Sequence, residues 1–570
     1  MILTSFYFFL FLIATVLLYY ALPKKFQWIL LLGASVFFYL FSGLKMLGLW
    51  VFITSVVIWG GAYCIDKFNQ KQNDASDIDT IKICERHKKM IILVALFISL
   101  GILGFFKYYN FFAENVNVLM KLFHINNSTS PIIKLLLPLG ISYWTFQSVG
   151  YLIDIYRGMY PAQKNPLKFL LFSMFFPSVS MGPIHRYNDL APQLFAQHSF
   201  DYKQATFGAQ RILWGLFKKL VIADRLAMFV NPVFDGYAQY SGFYLLIAII
   251  FFAFQLYADF SGCMDIVIGA GQLFGIKMTE NFNKPFFSKS ISEFWRRWHM
   301  TLGLWMKDYV FYPLLKSDLL QAFQQKLKII VSKKTAKAIP LYSGMFVLWF
   351  VMGLWHGAAW HFIIGAGLMF WLYIVSGELF KPLLNKIISF LEINKTSAYW
   401  KAFQIIRTFT LLSFDWIFFR AASVKDALQI ISKLFAYFEI YIYLILFVFL
   451  IIIIFRIISV KKTINIFMLP LIAALSSGIG IMIWRILSQK TTAFVLIKGI
   501  DYRDFILSVI LIMFLMSYEF IQNRIGSGRQ WLAKQRIAIR WLFYWALLFV
   551  VIMFGKYGGL TAASFIYQGF

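Results

Sequence analysis

Two histidines in apolar surroundings carry the most chemical information in this chain of 570 residues. His356 stands in the phrase Met352-Gly353-Leu354-Trp355-His356-Gly357-Ala358-Ala359-Trp360. That phrase lies inside a stretch, Ala338 to Gly377, with no Asp, Glu, Lys or Arg. Lipid offers an imidazole no hydrogen-bond partner, so such a ring must be enclosed by protein or line a cavity. Desolvation penalises the charged ring and leaves a neutral base able to accept a proton near pH 7. His299 comes from a separate segment, beside Trp298 and the arginines Arg296 and Arg297. A sheltered neutral base suits acyl transfer: it takes the proton of a hydroxyl as the oxygen attacks a thioester, while a second donor steadies the oxyanion. No Gly-x-Ser-x-Gly elbow is present in the sequence, so direct attack is expected rather than a serine acyl-enzyme.

The elements that must hold these residues are membrane helices. Hydrophobic residues make up 60% of the chain, charged residues only 14%, and the mean hydropathy is +0.71. Apolar runs begin near Ser5, Trp28, Leu47, Ile91, Ile132, Leu167, Phe243, Leu341, Phe403, Ile440, Phe467, Phe505 and Trp541. They predict an all-α polytopic protein with about 11–13 crossings plus re-entrant or interfacial helices. No hydrophilic stretch is long enough for a separate soluble domain. The expectation is one membrane domain over 1–570: scaffold helices in 1–130, a chemical centre in 131–400, and C-terminal helices in 401–570. The first run lacks a preceding basic region and is followed by Lys24-Lys25, which argues against a secretory leader and for an outward N-terminus. The basic segments Lys67–Lys89, Lys326–Lys337 and Arg524–Arg540 are expected on the cytoplasmic side. The net charge of +29 is scattered between spans, which fits contact with anionic lipids and argues against nucleic acid. Cys64, Cys84 and Cys263 give neither a disulfide framework nor a metal-ligand spacing, and no metal site is expected. No P-loop or Gly-x-Gly-x-x-Gly pattern supports nucleotide-driven transport.

Four clusters break the apolar centre. Pro138 to Gln147 reads as a kinked helix with hydroxyl and amide groups. Phe176 to Tyr187 contains Gly182-Pro183, which forces a helix break and brings Arg186 in to pair with phosphate or carboxylate, or to tie down a loop. Asp259 and Asp265 are the only charges between Ser241 and Ile276. On a continuous helix they would point about 120° apart, which favours separate anchoring roles over a carboxylate dyad. From Ser292 to Tyr309, the helical spacing of Trp295, Trp298, Leu302 and Trp305 predicts an amphipathic interfacial helix with His299 at the edge of its buried face. Gly353 and Gly357 flank His356 and permit close backbone approach or a helix break. The apolar run around His356 is too long for one span, and a bent pair of helices with His356 near mid-depth is expected.

At these residues the chain resembles the membrane-bound O-acyltransferase family, in particular its bacterial alginate O-acetyltransferase-like branch. The phrases are PLGISYWTFQ from Pro138, GPIHRY from Gly182, YADFSGCMDIVIG from Tyr257, ENFNKPFFSKSISEFWRRWHMTLGLWMKDYVFYPL from Glu280, GLWHGAAWHF from Gly353, DWIFFRAASVKDAL from Asp415, and the C-terminal ASFIYQGF. The resemblance implies a ring of helices around a central tunnel, with His356 as catalytic base and His299 as its companion. Trp298, Arg296, Arg297, Trp355, Arg186 and Asp259 are then candidates to line the site. It implies a bacterial cytoplasmic-membrane enzyme with no tightly bound cofactor, using an acyl thioester, acetyl-CoA, as substrate. Its other partners would be a polysaccharide acceptor, a periplasmic or surface acetyltransferase- or esterase-like protein, and membrane lipids. His185 and Cys263 depart from the commoner family pattern without touching the histidines. D-alanyl transfer to teichoic acid from a carrier protein is the alternative within the family. A proton-linked transporter using Asp259, Asp265 and the histidines, or a scaffold of a secretion complex, stands further off.

Overall fold

The computed structural model describes residues 3–41, 48–124, 130–133, 138, 140–240, 242–436 and 502–557, and the regular elements among them are all helices. Among these residues, eight helices are long and apolar enough to cross a membrane, and the shorter Phe6–Ala21 is also apolar. The runs expected from Ile440 and Phe467, and the C-terminal ASFIYQGF phrase, lie outside the described residues. The chain is an all-α polytopic membrane protein.

Four expected runs give helices below crossing length: those from Ser5 and Trp28, as Phe6–Ala21 and Gln27–Leu40, and those from Leu167 and Ile132. The run from Leu167 yields only the helix Pro166–Met174, because Pro177 and Gly182-Pro183 forbid its continuation; the chain from Phe175 to His185 is irregular and buried throughout. The run from Ile132 is helical from Ile141, after Gly140 takes a left-handed turn. A side chain at Gly140 would strike the Val179 carbonyl, so glycine is required there for space as well as for φ. The resulting helix Ile141–Tyr156 is buried over nearly its whole surface, polar Thr145, Gln147 and Ser148 included.

The helix Gly242–Leu273 is the central post: 72% of its apolar stretch is buried, against 22% for the peripheral Ile78–Leu122. It runs without a break through Ser261-Gly262, and it packs backbone to backbone on the helix Tyr202–Leu216. A Cβ on Gly208 would lie 2.8 Å from the Gly269 carbonyl oxygen, and one on Gly269 would lie 2.7 Å from that of Gly208. Gly215 and Gly262 face each other in the same reciprocal way. Small residues let two membrane helices approach this closely, which increases dispersion contact where lipid supplies no hydrophobic drive.

That close approach sets up a buried charge array. After Leu216 the helix widens into a π-helical segment, Phe217–Ala223, which carries Lys218 and Lys219. Lys219 Nζ lies 2.7 Å from Asp259 and 2.9 Å from Asp224; Lys218 Nζ lies 2.7 Å from Asp265, which also receives Arg211 Nε at 2.9 Å. All of these side chains are buried or nearly so. Buried charges survive only when paired, and these pairs supply the compensation.

Candidate active site

The segment holding His299 is not one helix. Ile291–Trp295 ends, the chain turns, and Met300–Met306 begins with His299 itself in the left-handed conformation, φ 42° and ψ 49°. A non-glycine residue there costs about 1–2 kcal/mol, so something must hold it. Asn281, eighteen residues earlier, does so. Its Oδ1 accepts from Thr301 N at 3.1 Å and Thr301 Oγ1 at 2.9 Å, and meets His299 Nδ1 at 3.2 Å. Its backbone carbonyl accepts from Met300 N at 3.0 Å, and Asn283 N donates to the Arg297 carbonyl at 2.8 Å. An amide oxygen only accepts, so Nδ1 of His299 carries the proton and Nε2 holds the lone pair. The expected interfacial helix is thus corrected twice. Trp298, Leu302 and Trp305 are buried as their spacing predicts, but in protein core rather than at an interface, and the helix is broken at the histidine.

His356 is the last residue of the helix Lys333–His356 and is 3% exposed. The apolar stretch folds as a pair of helices, Lys333–His356 and Trp360–Leu379, each of crossing length. His356 therefore stands at the turn between them rather than midway along a span. Gly353 is needed at this hairpin because a Cβ there would lie 2.7 Å from Ile363 Cα and 2.8 Å from its carbonyl oxygen. A Cβ on Gly357 would enter the Phe362 ring.

The two imidazoles meet at Trp355. Its ring centroid is 5.1 Å from that of His356 and 5.6 Å from that of His299. Phe260 abuts His299 edge-on at 4.8 Å, and Phe419 abuts His356 at 5.7 Å. Tyr143 and Phe146 also contact Trp355, at 5.7 and 5.9 Å. This aromatic wall excludes water and fixes both rings.

The other candidates separate. Trp298 packs among Phe282, Phe294 and Trp416, one residue from His299. Arg296 is exposed, and Arg297 pairs with Glu293 at 2.6 Å. Arg186 forms an ion pair with Asp308 and donates to Tyr309 Oη at 2.6 Å, with Asp154 at 3.9 Å; it ties down a loop. Asp259 is engaged with Lys219, although its neighbour Phe260 touches His299. No cluster of three or more metal-ligating side chains occurs among the described residues.

Three residues near the site escaped the sequence reading. Asn281 lay unremarked within the phrase from Glu280. Asp415 is fully buried, both its carboxylate oxygens have no hydrogen-bond partner among the described residues, and Phe419 one turn on packs against His356. Lys107, in the peripheral helix Ile78–Leu122, donates to the Trp355 carbonyl at 2.5 Å. The N-terminal third is therefore more than a lipid-facing scaffold. A cation at the end of an apolar run was its one sequence signal.

A profile of the membrane-bound O-acyltransferase family matches residues 160–327, a span that includes His299 and stops short of His356. The chain is 31% identical over 430 residues to a probable alginate O-acetylase of Azotobacter vinelandii, covering 75% of this chain and 77% of that protein. It is 30% identical to the peptidoglycan O-acetyltransferase of Helicobacter pylori, covering 72% and 74% respectively. It is 32% identical to the teichoic acid D-alanyltransferase of Bacillus subtilis, over 40% of this chain and 55% of that protein.

Proposed function

The chain belongs to the membrane-bound O-acyltransferase family, and we propose that it moves acetyl groups from a cytoplasmic thioester, acetyl-CoA, across a bacterial cytoplasmic membrane for esterification of an extracellular or cell-wall polysaccharide. The observation that carries this reading is the convergence of His299 and His356, from two separate segments, on one buried tryptophan. His356 takes the hydroxyl proton while the oxygen attacks the thioester carbonyl. The tetrahedral oxyanion then collapses, the carbon–sulfur bond breaks, and the proton returns to the departing thiolate. His299, with its Nδ1 proton committed to Asn281, presents an acceptor nitrogen and takes part as a second proton or hydrogen-bond acceptor.

Helix direction supports an outward acceptor. Lys107 and Trp355 each stand eighteen residues past the last lysine of a basic helix start, Lys89 and Lys337. Each is about 27 Å past that lysine along its helix, near the far edge of an apolar layer about 30 Å thick. With the basic ends in the cytoplasm, the histidines lie toward the outer face. A separate periplasmic or surface protein then passes the acyl group to the glycan.

The test is His356→Ala in cells making the full chain, with ester-linked acyl groups on surface glycan measured by mass spectrometry. The expected variant accumulates to the normal level and leaves the glycan without the ester. Undiminished acylation would sink the assignment. D-alanine in place of acetate would move the chain to the branch of its Bacillus relative, whose similarity covers a smaller share of the chain.

A further inference from the structure

Lys107 is a lysine that membrane energetics should have removed. Its helix otherwise turns Leu93, Val94, Phe97 and Phe105 outward, and a lysine at the centre of such a helix costs about 2.5–3.5 kcal/mol by insertion. Even toward the boundary, a cation pointed inward must be stabilised by what it meets. It meets the carbonyl of Trp355 at 2.5 Å and Ser142 Oγ at 3.4 Å, with the Trp355 ring 5.6 Å from the ammonium.

The carbonyl it binds belongs to the open end of the His356 helix. The last carbonyls of any helix lack an internal donor. A left-handed glycine after the helix ordinarily supplies the closing N–H groups. Gly357 does not do this. It is extended, at φ −166°, and its N–H reaches back only to Gly353 O at 3.3 Å. The chain must leave the helix abruptly here to make the Gly353–Ile363 hairpin contact, so the usual closure is lost. A cation also complements the negative end of the helix dipole.

We propose that Lys107 is a positioning residue for the proposed base: by closing the end of the Lys333–His356 helix at the Trp355 carbonyl, it fixes His356 and the Trp355 ring that touches both histidines. The inference rests on the acyltransfer reading above. A shift of the Trp355 peptide moves both imidazoles relative to the substrate, and a displacement of about 1 Å costs about 10²-fold in rate.

The experiment compares Lys107→Met, Lys107→Arg and His356→Ala in cells, each as the full chain, with glycan ester per molecule of chain and the melting temperature of the solubilised protein as readouts. Lys107→Met is expected to lose about 10²-fold in acylation. Lys107→Arg, which restores a cationic donor, is expected to recover most of it. A purely structural role predicts instead that acylation per folded molecule stays normal in Lys107→Met while the melting temperature falls, and that result overturns the proposal. If Lys107→Met does not accumulate, Lys107→Arg decides: wild-type stability with acylation as low as in His356→Ala also overturns it. If His356→Ala keeps full acylation while Lys107→Met loses it, the base assignment fails and, with it, the positioning role. If only Lys107→Met keeps full acylation, the positioning role alone fails.

Discussion

Replacing Asn281 tests whether His299 is held by design. Its side-chain oxygen serves Thr301 N, Thr301 Oγ1 and His299 Nδ1 in a buried site. Asn281→Ala leaves the Thr301 amide and the His299 N–H without this acceptor, while the Thr301 hydroxyl can rotate. Each stranded buried donor costs about 1–3 kcal/mol, so about 2–4 kcal/mol is expected after local relaxation. The left-handed turn at His299 adds its own strain, about 1–2 kcal/mol, which the remaining contacts must hold. Against a total stability of about 5–15 kcal/mol, this should lower the melting temperature clearly and let the ring leave its position. Asn281→Asp keeps every acceptor contact but places a charge beside the imidazole. Because that charge is buried, it should melt below the wild-type temperature and acylate poorly. The assays are thermal unfolding of the solubilised full chain and glycan ester per molecule. An Asn281→Ala chain that melts and acylates like wild type would refute the argument that Asn281 holds the turn.

Two further perturbations probe the frame around the site. Gly353→Val should cost about 3 kcal/mol or more, because its Cβ would press on the Ile363 backbone, which cannot rotate away. Gly303→Ala is the matched control: its nearest neighbour would be Trp295 O at 3.7 Å, so unfolding measurements should show no loss and a gain of up to about 1 kcal/mol. Lys219→Met removes the cation beside both Asp224 and Asp259 and should destabilise by about 3–5 kcal/mol, read as loss of the monodisperse peak on heating. Adding Asp259→Asn should return part of that loss.

The histidines were legible because an ionisable ring in a chargeless stretch is anomalous on composition alone, and the tryptophan spacing gave the buried side of the second segment. The helix break at His299 was not legible. It depends on a side chain eighteen residues away, and a periodic stripe says nothing about a left-handed residue that only such a contact supports. Lys218-Lys219 reads as an ordinary basic pair. Only the close glycine packing and the π-helical widening show that both turn inward to Asp259 and Asp265. Lys107 was passed over for the opposite reason: its helix is peripheral by composition, and the group it serves is a backbone carbonyl, which leaves no trace in side-chain pattern. Arg186 could be narrowed only to phosphate, carboxylate or loop anchoring, since its partner Asp308 lies more than a hundred positions on.

The facing glycines of the Tyr202–Leu216 and Gly242–Leu273 helices also have a mechanical meaning. Gly208 and Gly215 are seven residues apart, as are Gly262 and Gly269, so the two points of backbone contact act like a pair of keys in matching slots. Sliding one helix along the other by a turn would drive branched side chains such as Ile212 and Ile266 into main chain, and would pull Lys218 and Lys219 from their carboxylates together. This pair therefore cannot serve as a sliding gate. Whatever movement admits the acyl donor or releases the product must be borne by other parts of the molecule, with the central post as their fixed point of leverage.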